Sequence, residues 1–219
     1  AGLLWFGWFG FNAGSALASG SLATTAFVAT NAGAAAAGLV WVIMEWVLNG
    51  KPTAVGLATG AVAGLVGITP AAGFVTPMGA LLIGGITAFC CFYAIRIKNK
   101  LGIDDALDTF PVHGIGGTVG AILTGIFATT EVNAAGANGL LFGNPAQLLK
   151  QLAAVAIAYV LAGVGTFVLI KILQVTVGLR VSPEVEVQGL DPAEHEEIGY
   201  GEQGISALDV STSLSKTGI

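Results

Sequence analysis

Long uncharged runs alternate along the chain with short polar punctuation, and the length of those runs sets the first expectation. Six apolar runs of about 20 residues, the length that lets a helix cross a bilayer, are present at about 1 to 18, 22 to 48, 53 to 71, 75 to 97, 107 to 129 and 146 to 176. Each predicts a transmembrane helix, and the last is long enough to tilt or to project from the membrane. Connections are short, as in "NGKP" and "RIKNKLGIDD", apart from Thr129 to Gln147, whose Gly, Asn and Pro content predicts a loop. From Ser182 the pattern becomes polar. There "GLDPAEHEE" offers Asp191 as N-cap, Pro192 at the first helical position and Glu194 three residues after the cap, which predicts a short helix. Beyond Gly199 no periodicity remains, and that segment is expected to be mobile unless a partner holds it. The expected fold class is therefore all-α: a polytopic membrane bundle of six spans over residues 1–177, followed by a tail over 178–219.

Composition sharpens this picture. Of 219 residues, 54% are hydrophobic and 10% charged, with a mean hydropathy of +0.83, values that exclude a soluble domain with a charged surface. The 33 glycines predict closely packed helices, because lipid supplies no hydrophobic drive and small residues let backbones approach. Small residues four apart share a helix face in Gly10 and Gly14, in Gly56, Gly60 and Gly64, and in Gly116 and Gly120; these are read as packing positions. Cys90 and Cys91 are adjacent inside an apolar run and build neither a disulfide framework nor a metal site. The start "AGLLWFGWFGFNAGSALASG" has no basic n-region and does not resemble a signal peptide. It reads as a helix entered part-way, so the chain is expected to be a segment of a longer protein.

Charge gives sidedness. Residues 1–177 carry six Lys/Arg against five Asp/Glu, a balance of +1, while 178–219 carry two against eight, a balance of −6. An acidic tail disfavours nucleic acid and anionic lipid as partners. If successive loops alternate sides, Lys51, Arg96, Lys98, Lys100, Lys171 and Arg180 fall on one side and Lys150 on the other. The positive-inside rule puts that first side, and the C-terminal tail, in the cytoplasm of a cell membrane protein.

Ionisable groups inside spans are costly and are functional candidates. Glu45 and Asp108 lie near cytoplasmic ends and are expected to pair with a loop Lys or Arg. His113, in "DTFPVHGIGGTVGAILTGIF", stands deeper, among glycines that leave room for close approach. Burial would favour a neutral imidazole with one donor and one acceptor nitrogen. Such a ring could pass a proton, or it could merely tie two helices together. In the first span Phe11 and Ser15 share a face. A ring and a hydroxyl on one stripe could collect a cation, or the ring could pack while the serine bonds its own backbone.

The blocks "GWFGFNAGSA" (7–16), "GLVGITPAAG" (64–73), "DDALDTFPVHGIGG" (104–117) and "TVGLRV…GLDPAEH" (176–195), in that order, resemble the second half of the ammonium transporter family known as Amt/Mep/Rh. The likeness runs to about residue 200. It implies an eleven-span fold of two inverted repeats and a long tilted last helix, of which this chain would hold spans six to eleven and the cytoplasmic tail. It implies transport of ammonium or ammonia through a hydrophobic pore for nitrogen uptake, without catalysis, metal or cofactor. His113 matches the second of two pore histidines, Phe11 one of two stacked phenylalanines closing the outer mouth, and Ser15 the serine of the outer ammonium site. Their partners would lie in the other half. Gly189 and His195 match the regulatory tail motif. Ala193 stands where plant relatives carry a phosphorylatable threonine, and Glu196 replaces the glycine that usually follows the tail histidine. The family further implies homotrimers, and a PII-type signalling protein as a cytoplasmic partner. Two rivals have sequence-level discriminants. An ammonium sensor of the same fold with little flux would be favoured by a fused signalling domain, and an intramembrane serine protease using Ser15 and His113 would need the Gly-x-Ser-Gly pattern that "NAGSA" lacks.

Overall fold

A computed structural model describes residues 1–198; the expectation of mobility beyond Gly199 lies outside the described residues. Among them there is no strand. The chain divides into two compact units, Ala1–Tyr159 and Val160–Ile219. In the first unit helices α1 (Gly2–Gly14), α2 (Ser21–Asn49), α3 (Ala54–Ile68) and α4 (Pro77–Lys100) are followed by a π-helical segment, Phe110–Ile115, that runs directly into α5 (Gly116–Phe127). Helix α6 (Pro145–Thr176) begins in this unit and ends in the second, which also holds α7 (Pro183–Gln188) and a π turn, Asp191–His195.

The six expected spans are present as helices, with two shorter than expected. Among the described residues four helices are long and apolar enough to cross a membrane: 21–49, 77–100, 110–127 and 145–176. Helix α1 has 13 residues and α3 has 15. The apolar run that begins α3 continues past Ile68 as turns: Thr69 keeps helical dihedrals, but Pro70 has no N–H with which to continue the hydrogen-bond ladder. Local chemistry sets the other ends. Thr53 and Thr76 cap α3 and α4 by accepting from the N–H groups of Gly56 at 2.8 Å and Gly79 at 3.2 Å. Pro77 fills the first position of α4. Gly50, at φ +80°, ends α2 in the left-handed conformation open to glycine.

Packing in the first unit is carried by small residues. Ala29, Ala71, Val75, Ala80 and Ile83 are fully buried in one cluster, and Trp41, Ala63, Cys91 and Val112 belong to a second. A Cβ at Gly84 of α4 would stand 2.1 Å from the Gly33 carbonyl of α2, and one at Gly120 of α5 the same distance from the Gly67 carbonyl of α3. Only glycine permits these crossings. The expected stripe Gly56, Gly60 and Gly64 likewise lies against Glu45, Trp41 and Ala37 of α2. Gly10 and Gly14 do not follow: a Cβ at either meets nothing within 4 Å, because no described helix covers that face of α1.

The tail differs from expectation in detail. Asp191 is the first residue of the π turn and Leu190 its N-cap, so Asp191 does not cap. The cap that forms is Ser182, which starts α7, with Pro183 at its first position. Arg180 grips Glu186 with both arms, its Nη2 donating at 3.0 Å, and this bond holds the Glu186 carboxyl below its usual range. Gly189 sits at φ +103°, ψ 142°, a conformation open to glycine alone. Glu196, where the sequence resemblance implies glycine, adopts the left-handed conformation, φ 55° and ψ 29°. The turn after His195 is thus made without glycine, at a local cost of about 1 kcal/mol.

Candidate functional site

Helix α3 organises the candidate site. Its N-terminal part, with Ala54, Thr59 and Val62, joins His113, Leu107 and Val112 around a cavity of about 420 Å³. At its C-terminal end Thr69 joins Phe11, Asn12, Ser15, Phe74 and Asn133 around another of about 260 Å³. Val62 and Thr69 are seven residues apart and so share a face, separated by about 10 Å along the axis. The three residues expected to carry function therefore lie on two cavities strung along one face of one helix.

At the second cavity, Ser15 ends α1 and donates its hydroxyl proton to the Phe11 carbonyl at 2.6 Å. This is the local back-bond that competes with a ligand for the proton, but it leaves the hydroxyl oxygen available as an acceptor. Phe11 is 61% exposed and meets the Trp8 ring edge-on at 6.0 Å. Two neighbours were not legible in the sequence. Trp8 Nε1 donates to the Thr69 hydroxyl at 2.7 Å, and Asn12, 8% exposed, donates to the Thr30 hydroxyl at 3.0 Å. No short-range signal marks these partners, which are 61 and 18 residues apart.

The His113 ring is exposed in this chain and makes no hydrogen bond among the described residues. The expected burial is not supplied by these helices alone. The ring also reaches a third, largely apolar cavity of about 680 Å³ bounded by Ile97, Lys98, Asp105, Phe110 and Gly114. Its backbone is firmly held. The Asp105 carboxylate accepts from the N–H groups of Thr109 and Phe110, both at 2.9 Å, at the mouth of the π segment. The Phe110 and Thr109 N–H groups hold this carboxyl below its ordinary range. Lys98 donates to the Asp105 carbonyl and to Asp108, each at 2.6 Å. Asp108 thus pairs with a base as expected, although Lys98 lies in the last turn of α4 and not in a loop.

Glu45 departs from that expectation. It is 8% exposed and its carboxylate pairs with no base among the described residues. It accepts from the Thr53 N–H at 2.7 Å and from the Thr53 hydroxyl, at the positive N-terminal end of α3. The nearby base Arg96 instead lies over the Phe92 ring at 4.6 Å and donates to Asn49 at 2.5 Å.

Comparison with known proteins gives a consistent result. Residues 1–200 match the model of the Ammonium Transporter Family. An ammonium transporter of Bacillus subtilis (strain 168) is 52% identical over 199 residues, 90% of this chain and 49% of the relative. The ammonium transporter Amt1 of Archaeoglobus fulgidus is 50% identical over 200 residues, 91% of this chain and 50% of the relative. The crystal structure of Mep2 from Saccharomyces cerevisiae superposes with a TM-score of 0.79 at 40% identity, covering 83% of this chain and 42% of that one. The chain spans about half the length of the curated relatives it matches.

Proposed function

The chain belongs to the ammonium transporter family, and from that premise we propose that it supplies one wall of a path by which ammonium crosses a membrane. The supporting observation is the face of α3 that joins the cavity of Phe11 and Ser15 to the cavity of His113. In this reading a helical layer of the kind that fills the other half of the relatives' length covers the exposed sides of His113 and Phe11. Covering them encloses the path and supplies the burial that this chain lacks.

The chemistry follows from the cost of moving an ion into an apolar conduit, which a small neutral amine does not meet. Ammonium is collected at the outer cavity, where the Phe11 ring offers its π face and the Ser15 oxygen a lone pair. It gives up one proton and becomes ammonia, which passes along α3 to His113. The imidazole takes part in carrying the released proton. Potassium has no proton to release, so the path rejects it.

From family membership we also propose a membrane part over 1–177 with a cytoplasmic tail over 178–219, assembly as a homotrimer in the cell membrane, a regulatory role for Gly189 and His195 in the tail, and a PII-type protein as a cytoplasmic partner. The named relatives are transporters, which favours flux over a purely sensing role. Ammonium-evoked current and ammonium uptake, measured for His113→Ala in liposomes against wild type, test the reading. Loss of current or of discrimination against potassium supports it, and wild-type rate and selectivity in that variant remove the histidine from the mechanism.

A further inference from the structure

The π-helical segment that carries His113 is braced on both sides of the histidine by side chains with no part in the transport step. On one side the Cys91 thiol approaches the Val112 carbonyl at 3.8 Å. On the other the Thr118 hydroxyl donates to the Gly114 carbonyl at 2.7 Å and lies 2.8 Å from the Tyr159 hydroxyl of α6. Proton counting fixes the direction of that last contact. A carbonyl can only accept, so the single Thr118 proton goes to Gly114, and the Tyr159 proton must go to the Thr118 oxygen. The result is a directed chain, Tyr159 to Thr118 to the Gly114 carbonyl, in which each bond polarises the next.

We propose that Tyr159, acting through Thr118, is a positioning residue for His113. A π segment joined to an α-helix leaves its carbonyls poorly matched to the N–H groups above them, and such segments recur at functional sites. Here Gly114, adjacent to the histidine, has no side chain to fix its dihedrals. The hydroxyl relay supplies that constraint from a different helix and holds the imidazole toward the face of α3. The inference rests on the reading of His113 given above.

Tyr159→Phe, Thr118→Val, Thr118→Ser and the double variant Tyr159→Phe/Thr118→Val, made in the full-length protein and measured in liposomes per unit of inserted protein, test it. Loss of one neutral hydrogen bond predicts a three- to tenfold fall, in round numbers, in maximal ammonium flux for Tyr159→Phe and for Thr118→Val. The ammonium concentration for half-maximal flux stays unchanged, because Phe11 and Ser15 are untouched. The solvent deuterium isotope effect on the flux rises, since the proton step becomes more limiting. Thr118→Ser keeps the hydroxyl and retains wild-type flux, and the double variant is no worse than either single one. Unchanged flux and isotope effect in Tyr159→Phe, or multiplicative losses in the double variant, overturn the proposal. If His113→Ala is itself silent, the reading of the histidine fails instead, and the two failures are distinct.

Discussion

Two carboxylates near the ends of spans behave differently because of what each can reach. Asp108 finds Lys98, whereas Glu45 is enclosed at the start of α3 and satisfied by Thr53. Glu45→Ala removes the buried carboxylate to which the N–H and the hydroxyl of Thr53 donate. The expected loss is about 2 kcal/mol of stability, read as a lowered unfolding temperature in detergent. Asp105 gives a pH-dependent case. Its carboxyl is held below the ordinary range by the N–H groups of Phe110 and Thr109, so the stabilisation is present above the unfolded carboxylate pKa and disappears as pH falls through the lowered folded value. Asp105→Asn should therefore unfold at a lower temperature than wild type at neutral pH, and the two should converge in acid below about pH 4. Persistence of the gap in acid would show that the carboxylate charge is not what anchors the turn.

Helix contacts turn on the absence of side chains at crossings. At Gly84 an added methyl group would run into the Gly33 carbonyl; Gly84→Ala is expected to cost roughly 3 kcal/mol, since backbone cannot give way as a flexible side chain can. Gly10→Ala meets open space and should be neutral, or stabilising by about 0.5 kcal/mol through helix propensity. Thermal unfolding of both variants in the full-length protein checks the contrast. A large loss at Gly10 would reveal a tightly packed neighbour on that face of α1. The spacing of small residues marked Gly10 and Gly14 as well as it marked Gly56, Gly60 and Gly64, but only the arrangement of neighbouring helices distinguishes a used stripe from an uncovered one.

For the molecule as a whole, the distribution of bases predicts an orientation. Lys51, Arg96, Lys98 and Lys100 would face the cytoplasm and the loop after α5 the outside. Single cysteines at Lys51 and Glu131, both exposed positions, should react with an impermeant thiol reagent from opposite sides: Lys51→Cys from the cytoplasmic side, Glu131→Cys from the outer side. A Cys-less background is required because Cys90 is only partly buried. Labelling of both from the same side would overturn the topology.

Helix number, helix class and most boundaries were legible because they depend on hydropathy and capping groups that lie within one helix length of each other. Thr53, Thr76 and Gly50 do their work on residues three or four positions away. The pairing of Phe11 with Ser15 was legible for the same reason, since both belong to one turn-spaced stripe. Partners drawn from distant helices left no such trace: Trp8 with Thr69, Thr118 with Tyr159, Glu45 without its expected base. The exposure of His113 belongs with these. A one-dimensional apolar run says that a residue lies at membrane depth, but whether protein covers it depends on which helices converge there, and that is settled by packing across the bundle.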